Sequence, residues 1–418
     1  MGKAAPEGRY PSSMAKQGYG DVAEIVDTAA VRRASVKDAT DKRARSDTLI
    51  PLEGIAANKW RELAERAVEP NGYYLPEWEL AVNTFAPGRT DASALAAWND
   101  APSTRLVGLM PVVSLWRAYK IPLPALVSAH PYGTLCTPPL DRDLADDAVT
   151  QLMQQARKAG AHALILRDMS LDGAAMKAFA KVLQRTGLRP QILQSSLRAC
   201  LDATRDADEL LRDALGAKKL KELRRLRQRL AEHGAVHFDV ARTPDDVAGA
   251  IEIFLALEAS GWKGARGTAL VQNDGDASFI RRATTALAAT GQCEIVTLRA
   301  GDTPIAAGIV LRHQDRAFYF KIGIDERFAK FSPGVQLTLD LTRHLCADPG
   351  LATADSTASP DHPMINPIWR GRLAIGDVLI PLRSGDPAVS LIHAALMSRQ
   401  FAFELARRGV RFIRAWRR

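Results

Sequence analysis

The stretch DRAFYFKIGIDERFAKFSPGVQLTLDLTRHLC, residues 315–346, decides the fold, because a strand, a turn and a helix can be read in it one after another. Phe318, Phe320, Ile322 and Ile324 alternate with Tyr319, Lys321, Gly323 and Asp325, the period of a strand with one buried and one polar face. Tyr319, Lys321 and Asp325 are therefore expected on one face. After a short loop, Ser332 stands as the expected N-cap, Pro333 takes the first helical position, and Gly334 permits a close backbone approach. Val335, Leu337, Leu339, Leu341 and Leu345 then supply the apolar surface of a helix. A strand entering a helix through Ser-Pro-Gly leaves backbone N–H groups at the positive end of the helix dipole, a setting that favours phosphate or pyrophosphate. The same capping also serves ordinary helices that bind nothing.

The chain has 418 residues, 47% of them hydrophobic, enough for two to three domains with real cores. A net charge of +9 allows nucleic acid, an anionic membrane surface or a phosphorylated ligand as partner. Much of the excess is local. Lys218, Lys219, Lys221, Arg224, Arg225, Arg227 and Arg229 share one helix, and Arg407, Arg408, Arg411, Arg414, Arg417 and Arg418 crowd the C-terminus, a candidate contact for an anionic membrane surface. The basic helix lacks the interleaved aromatics of a nucleic-acid platform, so nucleic acid is not the expected partner. Cys136, Cys200, Cys293 and Cys346 lie far apart without metal-ligand spacing, so no metal site is expected, and they read as thiols of a reducing compartment. No apolar run is long enough to span a bilayer, and the start lacks a hydrophobic signal core, so a cytoplasmic protein is expected, with peripheral contact at the inner membrane open to it.

Residues 1–46 are polar, of mixed charge and without apolar periodicity, and read as a disordered leader. Residues 47–205 mix strands with crossing helices, an α/β pattern; 206–234 form a long basic helix ending at Gly234; and 235–418 repeat the α/β pattern. In the last segment the order is strand, two helices, three strands, helix, strand, helix.

That order, with the last strand of a meander running into a helix able to hold pyrophosphate, resembles the Gcn-five-related acetyltransferase (GNAT) fold. Leu257-Glu258-Ala259-Ser260-Gly261-Trp262-Lys263-Gly264, Phe320 to Glu326, Phe331 to Val335, Asp355-Ser356, Pro360 to Ile365 and Trp369, with Pro70-Asn71 and Pro76-Glu77-Trp78 upstream, resemble the CelD or cellulose-biosynthesis-like acyltransferase group, relatives of the Fem-type aminoacyltransferases. The resemblance covers about Trp60 to Pro381. It implies a mixed α/β fold of two GNAT-like domains in tandem, the first degenerate and the second keeping the acyl-donor cleft. Phe331-Ser332-Pro333-Gly334 replaces the glycine-spaced pyrophosphate loop of single-domain members. Acetyl-CoA or another acyl-CoA is the implied co-substrate, and aminoacyl-tRNA is the alternative.

In such a cleft two strands splay, the acyl carbonyl lies between them, and the protein supplies positioning, an oxyanion donor and a route for the amine proton. The expected donor contacts are Phe331, Ser332, Gly334, Val335 and Gln336. Asp355, His362 and Asp325 are the candidates for orienting or deprotonating the amine; each carboxylate serves equally as a loop cap, and His362 as a local hydrogen-bonding group. Glu258, Trp262, Lys263, Tyr319 and Lys321 are the candidate acceptor wall, with an ion pair or a surface turn as the plainer role. The expected reaction is N-acylation of an amine on a small molecule, a sugar or a cell-envelope or exopolysaccharide precursor. The alternatives are a non-catalytic accessory protein of polysaccharide biosynthesis that keeps the fold, and an aminoacyl-tRNA-dependent Fem-like transferase.

Overall fold

The computed structural model describes residues 49–99 and 105–416, excluding the side chains of Trp262 and of residues after 406, so the expected leader lies outside the described residues. Among them, twelve strands make one mixed sheet. They are β1 (Ile50–Pro51), β2 (Ser93–Trp98), β3 (Leu106–Ser114), β4 (Ala125–Ser128), β5 (Ala163–Ser170), β6 (Gln191–Asp202), β7 (Val236–Ala241), β8 (Cys293–Ala300), β9 (Thr303–His313), β10 (Arg316–Ile324), β11 (Thr353–Asp355) and β12 (Gly371–Pro381). Helices α1 (Ala57–Glu65), α2 (Pro76–Phe85) and α3 (Leu115–Tyr119) precede the crossover helix α4 (Ala145–Lys158) and α5 (Ala174–Arg185). The second half adds α6 (Ala207–Leu230), α7 (Pro244–Ser260), the short α8 (Trp262–Ala265), α9 (Asp274–Ala289), α10 (Pro333–Cys346) and α11 (Pro387–Trp416).

The sheet order is β1-β2-β3-β4-β5-β12-β6-β11-β10-β9-β8-β7. Two pairs are parallel, β4 with β5 and β10 with β11, and each is joined by a crossover helix, α4 in the first half and α10 in the second. The order is thus symmetric about the antiparallel pair β12–β6. Each half sends its last strand into the other: β12 pairs with β5, and β6 with β11. This is the tandem arrangement implied by the resemblance, with the two halves sharing their central strands.

The core crosses the same boundary. Tyr73 and Trp78 of the first half meet Phe318 and Phe320 of β10, with ring centroids 5.6 and 4.9 Å apart. His313 at the end of β9 accepts the Asn71 N–H at Nδ1 (2.8 Å) and lies 3.0 Å from Ala64 O through Nε2, which fixes a neutral tautomer with the proton on Nε2.

Four expectations are corrected. The helix read over 206–233 is broken at Gly216, whose φ of 71° and ψ of 161° lie outside the helical region; Leu220, Leu223 and Leu230 bury the second part. Strand β10 carries a bulge between Tyr319 and Lys321, so its alternation slips. Phe318 and Phe320 pack with Tyr73 and Trp78, whereas Tyr319 turns to the other face beside Trp369 together with Ile322 and Ile324. Ser332 is left-handed, with φ and ψ both 54°, and its side chain does not cap the helix. Finally β2 and β12 belong to the sheet, although their sequences do not read as strands.

Candidate active site

The parallel pair β10–β11 is only three residues long: Arg316, Ala317 and Phe318 face Thr353, Ala354 and Asp355. β11 ends there, while β10 continues through Ile324, leaving about 20 Å of strand without its neighbour. Asp325 donates its N–H to Ile305 O on the β9 side, so by strand alternation Ile322 and Ile324 turn their peptide groups to the edge that β11 has left. An extended ligand can pair with that edge.

The crotch of the splay is knitted from four segments. Asp355, buried, pairs with buried Arg198 of β6 and accepts the Thr357 N–H (2.8 Å). Arg198 Nη1 donates to Thr134 O (2.6 Å) and Oγ1 (2.9 Å), and Thr134 Oγ1 donates to Thr357 O (3.2 Å). Thr357 sits at φ 50° and donates Oγ1–H to Tyr319 O (2.7 Å), holding the departing chain against the bulge. Burial disfavours the charge on Arg198, but the Asp355 carboxylate outweighs it and holds the guanidinium above its ordinary pKa.

On one face of the free segment lies the start of α10. Gly334 is buried where an added Cβ would stand 3.0 Å from Met364 Sδ and 3.4 Å from Ile322 Cδ1. Gln336 is buried and donates Nε2–H to Leu223 O (2.9 Å), tying α10 to α6. Phe331 packs against the His233 and Phe328 rings. The side chains expected to hold the donor therefore build the turn. What the turn offers a ligand is backbone: Pro333 has no N–H, and those of Gly334 and Val335 lie within the first helical turn, which carries no acidic residue.

On the other face stands the expected acceptor wall. The α7 backbone approaches β10 so closely at Gly323 that a Cβ there would lie 2.9 Å from Glu258 N. The Glu258 carboxylate is buried between Lys263 Nζ (2.8 Å) and Lys321 Nζ (3.6 Å) and accepts the Leu270 N–H (2.9 Å). Burial pushes its pKa up, but Lys321 and Lys263 outweigh that and keep it below the usual glutamate value. Glu258 thus anchors the segment after α7 to the strand. Trp262 opens α8, and its side chain lies outside those described.

Sequence reasoning missed the contribution of the first half. Tyr132, at φ 60°, hydrogen-bonds Asp276 (2.8 Å), lies under Arg89 (4.3 Å to its centroid) and stands 5.8 Å from Lys321 Nζ. Gly133 beside it is obligatory, since a Cβ would come within 2.3 Å of the Tyr73 ring. Pro131-Tyr132-Gly133 was the available signal, but nothing local says that this turn reaches β10.

The three candidate acid–base residues are not brought together. Asp325 lies seven residues beyond Phe318, the register partner of Asp355, about 23 Å along β10. It caps the turn Glu326–Phe331 and binds Arg327, which draws its pKa down. His362 Nδ1 accepts the N–H groups of Met364 (3.3 Å) and Ile365 (3.4 Å), and burial lowers its pKa. A neutral ring accepting at Nδ1 carries its proton on Nε2 and can donate a hydrogen bond there. Trp369 is buried and donates Nε1–H to Thr342 Oγ1 (2.9 Å), a core role.

With this geometry in place, the comparisons with known proteins are informative. Residues 217–362, beginning one residue past the Gly216 break, match the family model for an acetyltransferase (GNAT) domain. The fold is similar to that of FemX, with a TM-score of 0.53 and 12% identity over 81% of this chain and 98% of that one. It is also similar to the C-terminal domain of a putative lysylphosphatidylglycerol synthetase from Agrobacterium fabrum, with a TM-score of 0.50 and 14% identity over 82% of this chain and 96% of that one. A search of curated proteins finds no match. The part of the chain that holds the splayed strands is a GNAT acetyltransferase domain. The chain is an N-acyltransferase built on a fold shared with the Fem-type proteins.

Proposed function

We propose that the chain transfers an acyl group from acetyl-CoA or a longer acyl-CoA to an amine of a small molecule, a sugar or an exopolysaccharide or cell-envelope precursor, in the manner of the CelD-like group. The observation that carries this reading is the free segment of β10 between two half-sites: the backbone of the α10 start on one face, and Glu258, Lys263, Lys321 and Tyr132 on the other. The bare Gly334 at an acid-free helix start suits the pyrophosphate, and the open edge at Ile322 and Ile324 suits an extended pantetheine arm.

The neutral amine attacks the thioester carbonyl, forming the C–N bond. Backbone N–H groups on the open edge stabilise the oxyanion, collapse breaks the C–S bond, and the thiolate takes up the proton that the ammonium loses through solvent. Asp355 acts by holding the splay open rather than as a base, because its carboxylate is already committed to Arg198 and Thr357. Lys321 and Lys263 line this face beside Glu258, and an acceptor bearing a carboxylate or phosphate near its amine would complement them. The described cysteines are free thiols, in keeping with a reducing, cytoplasmic setting.

The test is thiol release from acetyl-CoA and longer acyl-CoAs across a panel of amino sugars and amino acids. Amine-dependent release supports the reading. Transfer only from aminoacyl-tRNA, with loss on charge reversal of Lys218, Lys219 and Lys221, would transfer the site to the Fem-like alternative.

A further inference from the structure

Helix α11 changes character along its length. Val389, Ile392 and Leu396 are buried against Val127, Ile165 and Leu379, covering the first half of the sheet. From Phe401 to Ala406 every residue is exposed, Phe401 to 63% and Leu405 to 50%, so over these residues the helix has no buried face. Met397 and Leu391 are exposed before it, and Gln400 donates to Gln194 (3.1 Å) of β6, whose Ile192 and Leu197 are exposed as well. In the sequence Phe412 and Trp416 continue the spacing of Phe401 and Leu405, one stripe at 3.6 residues per turn. Residues 387–418 contain seven arginines, with Glu404 as the sole carboxylate.

We propose that the free half of α11 lies in the interfacial layer of an anionic lipid bilayer, its Phe401–Leu405 stripe among the acyl chains and its arginines at the headgroups, so that acyl transfer takes place at a membrane surface. An aromatic and aliphatic stripe backed by arginine is the composition of an interfacial helix. No helix among the described residues is long and apolar enough to cross the bilayer, so the contact is one of lying on the surface. A second copy is the poorer occupant. Two such helices side by side would bring both sets of arginines together with only Glu404 from each to offset them.

The test is co-sedimentation of the full chain with vesicles of phosphatidylcholine containing about 30 mol % phosphatidylglycerol, against pure phosphatidylcholine. Binding to the anionic vesicles should exceed that to the neutral ones by about ten-fold or more and fall steeply with salt. The double variant Phe401→Ser/Leu405→Ser should lose about ten-fold in binding while melting at the same temperature and acylating a soluble acceptor as before. Equal or absent binding to the two vesicle types, or unchanged binding by the variant, would overturn the proposal. So would a lipid-free dimer in sedimentation velocity that the variant converts to monomers, because the second copy would then be the occupant.

Discussion

The two parallel pairs of the sheet have the same topology and different ends. After β10, a turn of six residues leads into α10, whose first turn holds Pro333 and Gly334 and no acid. After β4, residues 129–144 turn back over the sheet: Leu109 donates to Pro139 O (3.1 Å), Asp141 to Val107 O (2.8 Å) and Val68 to Leu140 O (2.8 Å). Helix α4 begins only at Ala145, and its first turn carries Asp146 and Asp147. Asp146 is committed to Lys181 (2.7 Å) and Arg185 (2.9 Å). A phosphate at α4 would meet like charge, and at α10 it would meet the backbone N–H groups of a first turn without acid. In the first half the loop after β4 instead reaches into the second half, where Tyr132 lies by Lys321 and Thr134 accepts from Arg198.

That contrast can be broken at several points, in decreasing order of effect. Arg198→Ala leaves Asp355 buried without its partner and should cost about 3–5 kcal/mol in urea unfolding, while Arg198→Leu/Asp355→Leu recovers most of it. A loss below about 1 kcal/mol for the single variant would mean that the splay is not held by this pair.

Acid should loosen the contact between the halves next. Burial first, against its two backbone hydrogen bonds, lowers the His313 pKa to about 4 from 6.5. A histidine with a depressed folded pKa contributes stability that is complete above pH 6.5 and is lost as pH falls through 4, here about 3 kcal/mol in all, because protonated Nδ1 would face the Asn71 N–H. Melting temperature followed from pH 7 to pH 4 should drop, and His313→Gln should flatten the part of the slope centred between those values.

Gly133→Ala should cost about 1–3 kcal/mol and displace Tyr132, raising KM for the acceptor while leaving that for the donor unchanged. The smallest effect is Lys321→Gln, expected to raise acceptor KM roughly ten-fold with kcat nearly intact if the lysine binds an anionic group on the acceptor. An equal fall in kcat and kcat/KM would instead place Lys321 in the transition state.

Much of this was legible in the chain. The period-2 run into Pro333 located β10 and α10 within a residue or two, and the motifs read at 257–264, 320–335 and 355–356 fall within the residues that match the acetyltransferase domain model. What was hidden depended on distant partners. Ser93–Trp98 is alanine-rich and buried on both faces, so it shows no alternation. In β12 a register shift after Gly376 breaks the pattern, and its neighbours β5 and β6 lie in the other half of the chain. The bulge at Phe320 has no sequence mark, yet it moves Tyr319 off the face of Lys321 and sets Lys321 beside Glu258. Asp355 was legible as a candidate, but its commitment to Arg198 required β6 to cross between the halves.

The central claim is that the start of α10, and not that of α4, holds the pyrophosphate of the acyl donor. Titration calorimetry of coenzyme A into the wild-type chain and into Gly334→Glu tests it most directly, with circular dichroism to confirm that the variant is folded. The account predicts a single site whose affinity falls about 100-fold or more in the variant, where a carboxylate replaces the bare helix start, and is unchanged in Asp146→Asn/Asp147→Asn. Undiminished binding by folded Gly334→Glu would contradict it.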